Sequence, residues 1–159
     1  MTFNTNNLIL KVFLLCIIVS FPLLLYSQTG VYVQNGKNID DVKETMRFMA
    51  KEVVYDKQEI IDKIASDGKP LFLIMLYYID RKTGYPIIYE FNKQRICYNS
   101  QLPISKNDED ILIEELDKNF TRIDSNSQYT AWIWGYGSLT LIRYLNKPYY
   151  TLQYLGIQN

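Results

Sequence analysis

Residues 129–145 read YTAWIWGYGSLTLIRYL, and the length of the turn at Gly135-Tyr136-Gly137 decides which face of a sheet receives the two tryptophans. Side chains alternate along a strand, so a one-residue change of register moves every side chain to the opposite face. A three-residue loop with Gly137 in a left-handed bulge position opposes Trp134 to Ser138 and Trp132 to Thr140, and groups the tryptophans with Ile142 and Tyr144. A two-residue turn with glycine first opposes Trp132 to Leu139 and groups them with Leu141, Arg143 and Leu145. Glycine serves either loop; the three-residue form is the expectation. With a second three-residue loop at Asn146 to Pro148, one face then carries Trp132, Trp134, Ile142, Tyr144, Tyr150, Leu152 and Tyr154, and the other Leu139, Leu141, Leu145, Tyr149 and Leu155.

In either register both faces hold several large apolar groups, while only about three amphipathic helices are available, and in this class they cover one face. The uncovered face is expected to be an apolar patch of the kind that marks a binding site. Its candidate residues are Trp132, Trp134, Tyr144 and Tyr154, with Arg143 as the charged member, since aromatic residues and arginine are enriched in interface cores. A partner protein, a second copy, or a small apolar or sugar ligand all fit such a face; the alternative is that the sheet curls around its own core.

Upstream, Asn38 is a helix cap before Ile39, Val42, Met46, Met49, Ala50 and Val53, an apolar stripe at spacings of three and four. Asp56 followed by Glu59 resembles a second capping box, and Ile60, Ile61, Ile64 and Ala65 continue the stripe to a stop at Asp67, Gly68 and Pro70. The expectation is two helices, or one kinked helix over 38–66. The charge-free run Leu71 to Ile79, LFLIMLYYI, reads as a strand buried on both faces, followed by a hairpin loop at Asp80 to Gly84, a strand from Tyr85 to Phe91, and a short strand from Gln94 to Tyr98. After a loop over 99–107 containing Pro103, Ser105 or Asn107 caps a helix running to about Lys118. Strands follow at 120–123, 129–134, 139–145 and 149–155. The fold class is therefore α+β: N-terminal helices and one central helix on a mainly antiparallel, curved, cone-like sheet of about six strands. No internal repeat is visible. The order of elements is similar to that of cone-shaped nuclear-transport-factor-like domains, and less closely to extracytoplasmic sensor domains of the PAS-like kind; such frames host many functions.

Residues 8–26, LILKVFLLCIIVSFPLLLY, carry one charge and an apolar run of about 14 residues, which suits a signal-peptide core better than a span of about 20. We read 1–27 as a signal peptide with a cut after Ser27, or as a retained membrane anchor, and 28–159 as a single exported domain, periplasmic or extracellular. Cys97 is then the lone thiol of the mature chain, and a small apolar residue on a strand is its simplest reading.

Seventeen basic and seventeen acidic residues cancel, so no global field draws the chain toward nucleic acid. The absence of histidine removes the commonest general base and the imidazole ligands of zinc. No cofactor is implied. The acidic helix residues Asp108, Glu109, Asp110, Glu114, Glu115 and Asp117 fit capping and a solvated face more simply than a calcium site. The leading expectation is a non-enzymatic binding or accessory protein; the alternatives are a carboxylate-dependent hydrolase or isomerase using Glu90 or Asp80, and a membrane-anchored sensor or scaffold. Outside catalysis, Arg95 or Arg143 would be the ion-pair partner of Glu90.

Overall fold

A computed structural model describes residues 32–64, 66–134 and 137–156, without the side chain of Trp134. The segment read as signal peptide or anchor lies outside these residues, as does Cys16. Among the described residues no helix is long and apolar enough to cross a membrane. Gln34–Asn159 forms a compact unit of its own, and the fold is described for it.

Helix α1 (Ile39–Phe48) begins as expected: the Asn38 side chain accepts from the backbone N–H groups of Asp40 (2.8 Å) and Asp41 (3.0 Å). It buries Ile39, Val42 and Met46, the stripe read from sequence. The helix then stops at Met49, and Val53–Ile64 is a strand, β1, paired along its length with β2 (Pro70–Asp80). The expected helix over 56–66 is overturned. Isoleucines at 60, 61 and 64 fit a helical stripe, but β-branched residues lose side-chain freedom in a helix and pack well on a pleated surface. The partner strand, which propensity alone does not show, decides the matter.

From β2 the chain continues through β3 (Pro86–Phe91), β4 (Cys97–Ser105), a single 3-10 turn (Lys106–Asp108), α2 (Glu109–Asn119), β5 (Thr121–Ser125), β6 (Tyr129–Trp134), β7 (Gly137–Ile142) and β8 (Tyr149–Gly156). The eight strands form one antiparallel sheet in the order β1-β2-β3-β4-β8-β7-β6-β5. The antiparallel α+β class holds, with eight strands among the described residues instead of about six, and with residues 38–66 giving one helix and a strand in place of two helices or one kinked helix. The element order behind the resemblance noted above is therefore not that of the chain. Two strands were missed outright: β1, read as helix, and most of β4, read as loop because of Pro103. The β3–β4 ladder ends at Gln101, so Pro103 stands where β4 is paired with β8 alone, a position that tolerates a missing N–H.

The order conceals a repeat. A helix followed by a four-strand meander occurs twice, and the last strands of the two halves, β4 and β8, pair antiparallel at the centre about Leu102 and Leu152. Both leucines are buried. The side-chain amide of Asn35 clips this seam, donating to the carbonyls of Tyr98 (2.8 Å) and Tyr154 (2.9 Å) and accepting from Ser100 Oγ (2.5 Å). Backbone bonds from Gly36 N–H to Cys97 O and from Cys97 N–H to Lys37 O lay the same segment alongside the start of β4.

Both helices cover one face of the sheet. One row across it runs Gln58, Leu76, Tyr89, Ser100, Tyr154, Leu139, Trp132, Arg122, from β1 to β5. In this row the Tyr89 hydroxyl lies 3.6 Å from Met46 Sδ of α1, and Trp132 Nε1 donates to Asp117 of α2 at 2.8 Å. The adjacent row, Lys57, Tyr77, Ile88, Gln101, Gln153, Thr140, Ala131, Asp124, lies on the opposite face, where no described helix packs.

Candidate binding surface

The β6–β7 ladder pairs Trp132 with Leu139 and Trp134 with Gly137, which leaves a two-residue turn and corrects the expected three-residue one. Gly137 does not occupy a left-handed position; it lies in the strand itself. A Cβ there would come within 2.2 Å of the Leu155 carbonyl oxygen of β8, so glycine is needed for close backbone approach and not for turn conformation. The β7–β8 ladder then opposes Leu141 to Leu152 and Ile142 to Thr151, leaving eight residues between the last paired positions in place of the expected three.

This register separates the residues read as one binding face. Trp132 is 0% exposed, its indole bonded to Asp117 and flanked by the Arg122 guanidinium at 6.0 Å from the ring. Tyr154 is buried beside Leu139 on the same helix-covered face. Tyr144 lies beyond the end of β7, part-exposed, with Lys147 Nζ 4.2 Å over its ring. Arg143 bonds Glu109 Oε1 at the start of α2 (2.5 Å), Thr130 Oγ1 of β6 (2.8 Å) and the Asn126 carbonyl of the β5–β6 turn (3.1 Å). It joins three elements and has little left to offer a ligand. The side chain of Trp134 lies outside the described residues.

The apolar surface on the open face lies instead at the β2–β3 end. Residues 71–79 were read as buried on both faces, yet only Ile74, Leu76 and Tyr78 are buried, all on the helix-covered side. Leu73, Met75, Tyr77 and Ile79 are half-buried on the open side and adjoin Ile88 and Pro86 of β3. Polar groups rim this patch. Lys57 Nζ bonds Glu59 (2.6 Å) and sits 4.8 Å over the Tyr77 ring, and the Tyr77 hydroxyl donates to Glu59 Oε2 (3.0 Å). Burial and then the Glu59 carboxylate raise the Tyr77 phenol above its usual range, which keeps it a donor. The sequence signal was present: a strand with no charge on either alternation is apolar whichever side the helices take.

Glu90 stands at the edge of this patch, opposite Met75 and Asn99. Both its oxygens accept bonds, from the Tyr98 hydroxyl (3.0 Å) and from Gln101 Nε2 (2.7 Å). Burial, followed by the neighbouring Glu90 charge, raises the Tyr98 phenol, so it remains protonated as the donor. The arginines expected beside Glu90 are elsewhere: Arg95 pairs with Asp40 at 3.2 Å and Arg143 with Glu109. Asp80 closes the β2–β3 turn, accepting from the N–H groups of Lys82 and Thr83 and from the Thr83 hydroxyl. These two carboxylates do not meet at a common site.

Four of the five acidic residues of α2 have cationic partners: Glu114 and Glu115 face Lys118, Asp117 pairs with Arg122, and Glu109 with Arg143. No group of three metal-ligating side chains converges among the described residues. Cys97 is buried at the start of β4, as a small apolar residue would be, and burial pushes its thiol up to about 12. A charged depression lined by Asp40, Lys43, Glu44 and Arg47 lies on the solvated side of α1 alone. Comparison of the chain with protein-family models, with curated proteins and with solved structures finds no match.

Proposed function

We propose that this chain is an exported, non-enzymatic binding protein that engages a partner protein through the open face of its sheet, centred on Leu73, Met75, Tyr77, Ile79 and Ile88. The observation that carries the reading is the one-sided placement of both helices, which leaves these five half-buried apolar side chains without a described covering element. An apolar centre with a rim of Lys57, Glu59, Glu90 and Gln101 has the anatomy of a protein interface: desolvated in the middle, hydrogen-bonding at the edge. Export rests on the apolar run at 8–26, and the same run, if retained, would hold the domain at a membrane surface. The carboxylate-dependent enzyme has less support, because Glu90 and Asp80 are each engaged in separate local networks.

The test is capture from an envelope fraction of the source cell by the immobilised chain. Met75→Glu and Ile88→Glu, placed on the half-buried face, are expected to abolish retention of proteins held by the native chain while leaving the circular dichroism unchanged. Lys43→Glu on α1 is expected to leave retention intact. Equal retention by all four chains would discard this face as the binding surface.

A further inference from the structure

The sheet has two edges, and they are built differently. β5 is five residues long and interrupted by a register shift between Arg122 and Asp124, the short, irregular form that resists pairing with another strand. β1 is twelve residues long; past its own shift at Tyr55/Lys57 it pairs without interruption from Lys57 to Ile64. No described strand pairs with its outer side. Beyond Ile74 the β2–β3 ladder is absent, so residues 60–64 and 70–73 form a two-stranded ribbon projecting past β3. That ribbon exposes apolar side chains: Ile60 is 60% and Ile64 74% accessible, with Leu71 at 37%. A long edge strand with exposed isoleucines and no bulge over Lys57 to Ile64 is open to pairing with another strand.

We infer that β1 pairs antiparallel with β1 of a second copy of this chain about a two-fold axis at Ile61, joining the two sheets into one. The charge pattern selects both the occupant and the register. Centring on Ile61 opposes Glu59 to Lys63 of the second copy, twice by symmetry, opposes Ile61 to itself on the open face, and opposes Ile60 to Asp62 and Gln58 to Ile64 on the other. Centring on Ile60 opposes Lys57 to Lys63, centring on Glu59 opposes that carboxylate to itself, and centring on Asp62 does the same there; like charges directly opposite destabilise a strand pair. Centring on Gln58 opposes Lys57 to Glu59 but meets the shift at Asp56 immediately. Only the Ile61 register spans Gln58 to Ile64 with opposite charges facing. Glu59 keeps its bonds to Lys57 and Tyr77 in this arrangement, since each carboxylate oxygen accepts more than one. The axis stands perpendicular to the sheet, so the helices of both copies lie on one side and the two open faces on the other. This interface uses the backbone edge of β1 and does not depend on what the open face binds.

The experiment combines a charge swap with a cross-link in the full chain carrying Cys16→Ser. Light scattering across a concentration series is expected to show a dimer. Glu59→Lys alone and Lys63→Glu alone are each expected to weaken it roughly tenfold, by putting like charges opposite twice, and the double variant to restore it. Ile61→Cys is expected to form an intermolecular disulfide under mild oxidation, because directly opposed Cβ atoms lie about 4.5–5.5 Å apart, whereas Ile123→Cys on the β5 edge is not. A monomer at every concentration, a double variant no tighter than the singles, or equal cross-linking at 61 and 123 would each overturn the pairing.

Discussion

Gly137 shows how a single residue fixes the arrangement of a hairpin. The space that a Cβ would need is occupied by the Leu155 carbonyl of the neighbouring strand, and backbone cannot step aside as the end of a flexible side chain can. Gly137→Ala is therefore expected to lower stability by about 1–3 kcal/mol, in the range of overpacked cores, read as a drop in the denaturation midpoint. An unchanged midpoint would show that β7 and β8 separate locally without cost. Trp132 illustrates the converse at the same scale. An indole fits either an interface or a core, and Asp117, supplied by a helix, gives the buried N–H its acceptor.

Among the elements, α2 and β6 are held by a network of Asp117, Arg122 and Trp132. The Arg122 guanidinium, and after it the Trp132 N–H, hold the Asp117 carboxyl below its ordinary value of 3.8. A depressed folded-state pKa stabilises the fold above the unfolded-state value, and that contribution is lost as pH falls through the folded value. The native chain is thus expected to lose stability below about pH 4 more steeply than Asp117→Asn, whose curve should be flatter there and lower at neutral pH. Denaturation midpoints between pH 2.5 and 7 for both chains check this; parallel curves would remove Asp117 from the acid response. Tryptophan emission provides a second readout, since the variant changes the acceptor of the Trp132 indole.

Across the whole molecule, the two helix-plus-meander halves share the β4–β8 ladder, and Leu102 and Leu152 at its centre are buried by both. One cooperative unfolding transition is expected from this shared core. Tryptophan fluorescence reports the second half, because both tryptophans lie in β6, and labelling of the buried Cys97 thiol reports the first. The two probes should give the same denaturant midpoint; separated midpoints would mean that the halves are independent units. The repeat escaped sequence reading because a meander constrains only alternation and turn positions, which very different residues satisfy. Val42 and Met46 in α1 and Leu116 in α2 are buried helix residues without any identity at matched positions.

Local chemistry alone determined a good deal. Asn38 caps the helix expected of it, Asp80 to Gly84 is the turn expected between β2 and β3, with Gly84 at φ 73°, and Leu71 to Ile79 is a strand; Ser105, expected to cap the central helix, caps only the 3-10 turn before it, and α2 begins after Asp108 with no side-chain cap. Each of these depends on a side chain acting on its own backbone or on an uninterrupted apolar run, so neighbours in sequence suffice to read it. Tertiary structure decided the rest. Residues 53–64 became a strand because β2 was there to pair with, and the Gly-Tyr-Gly turn shortened because β8 approaches Gly137. The tryptophan read as a gripping residue, Trp132, went inside because α2 brought an acceptor and a cover to that side of the sheet. Which face of a sheet is buried is a property of the helices laid on it, and alternation along a strand is blind to where they land.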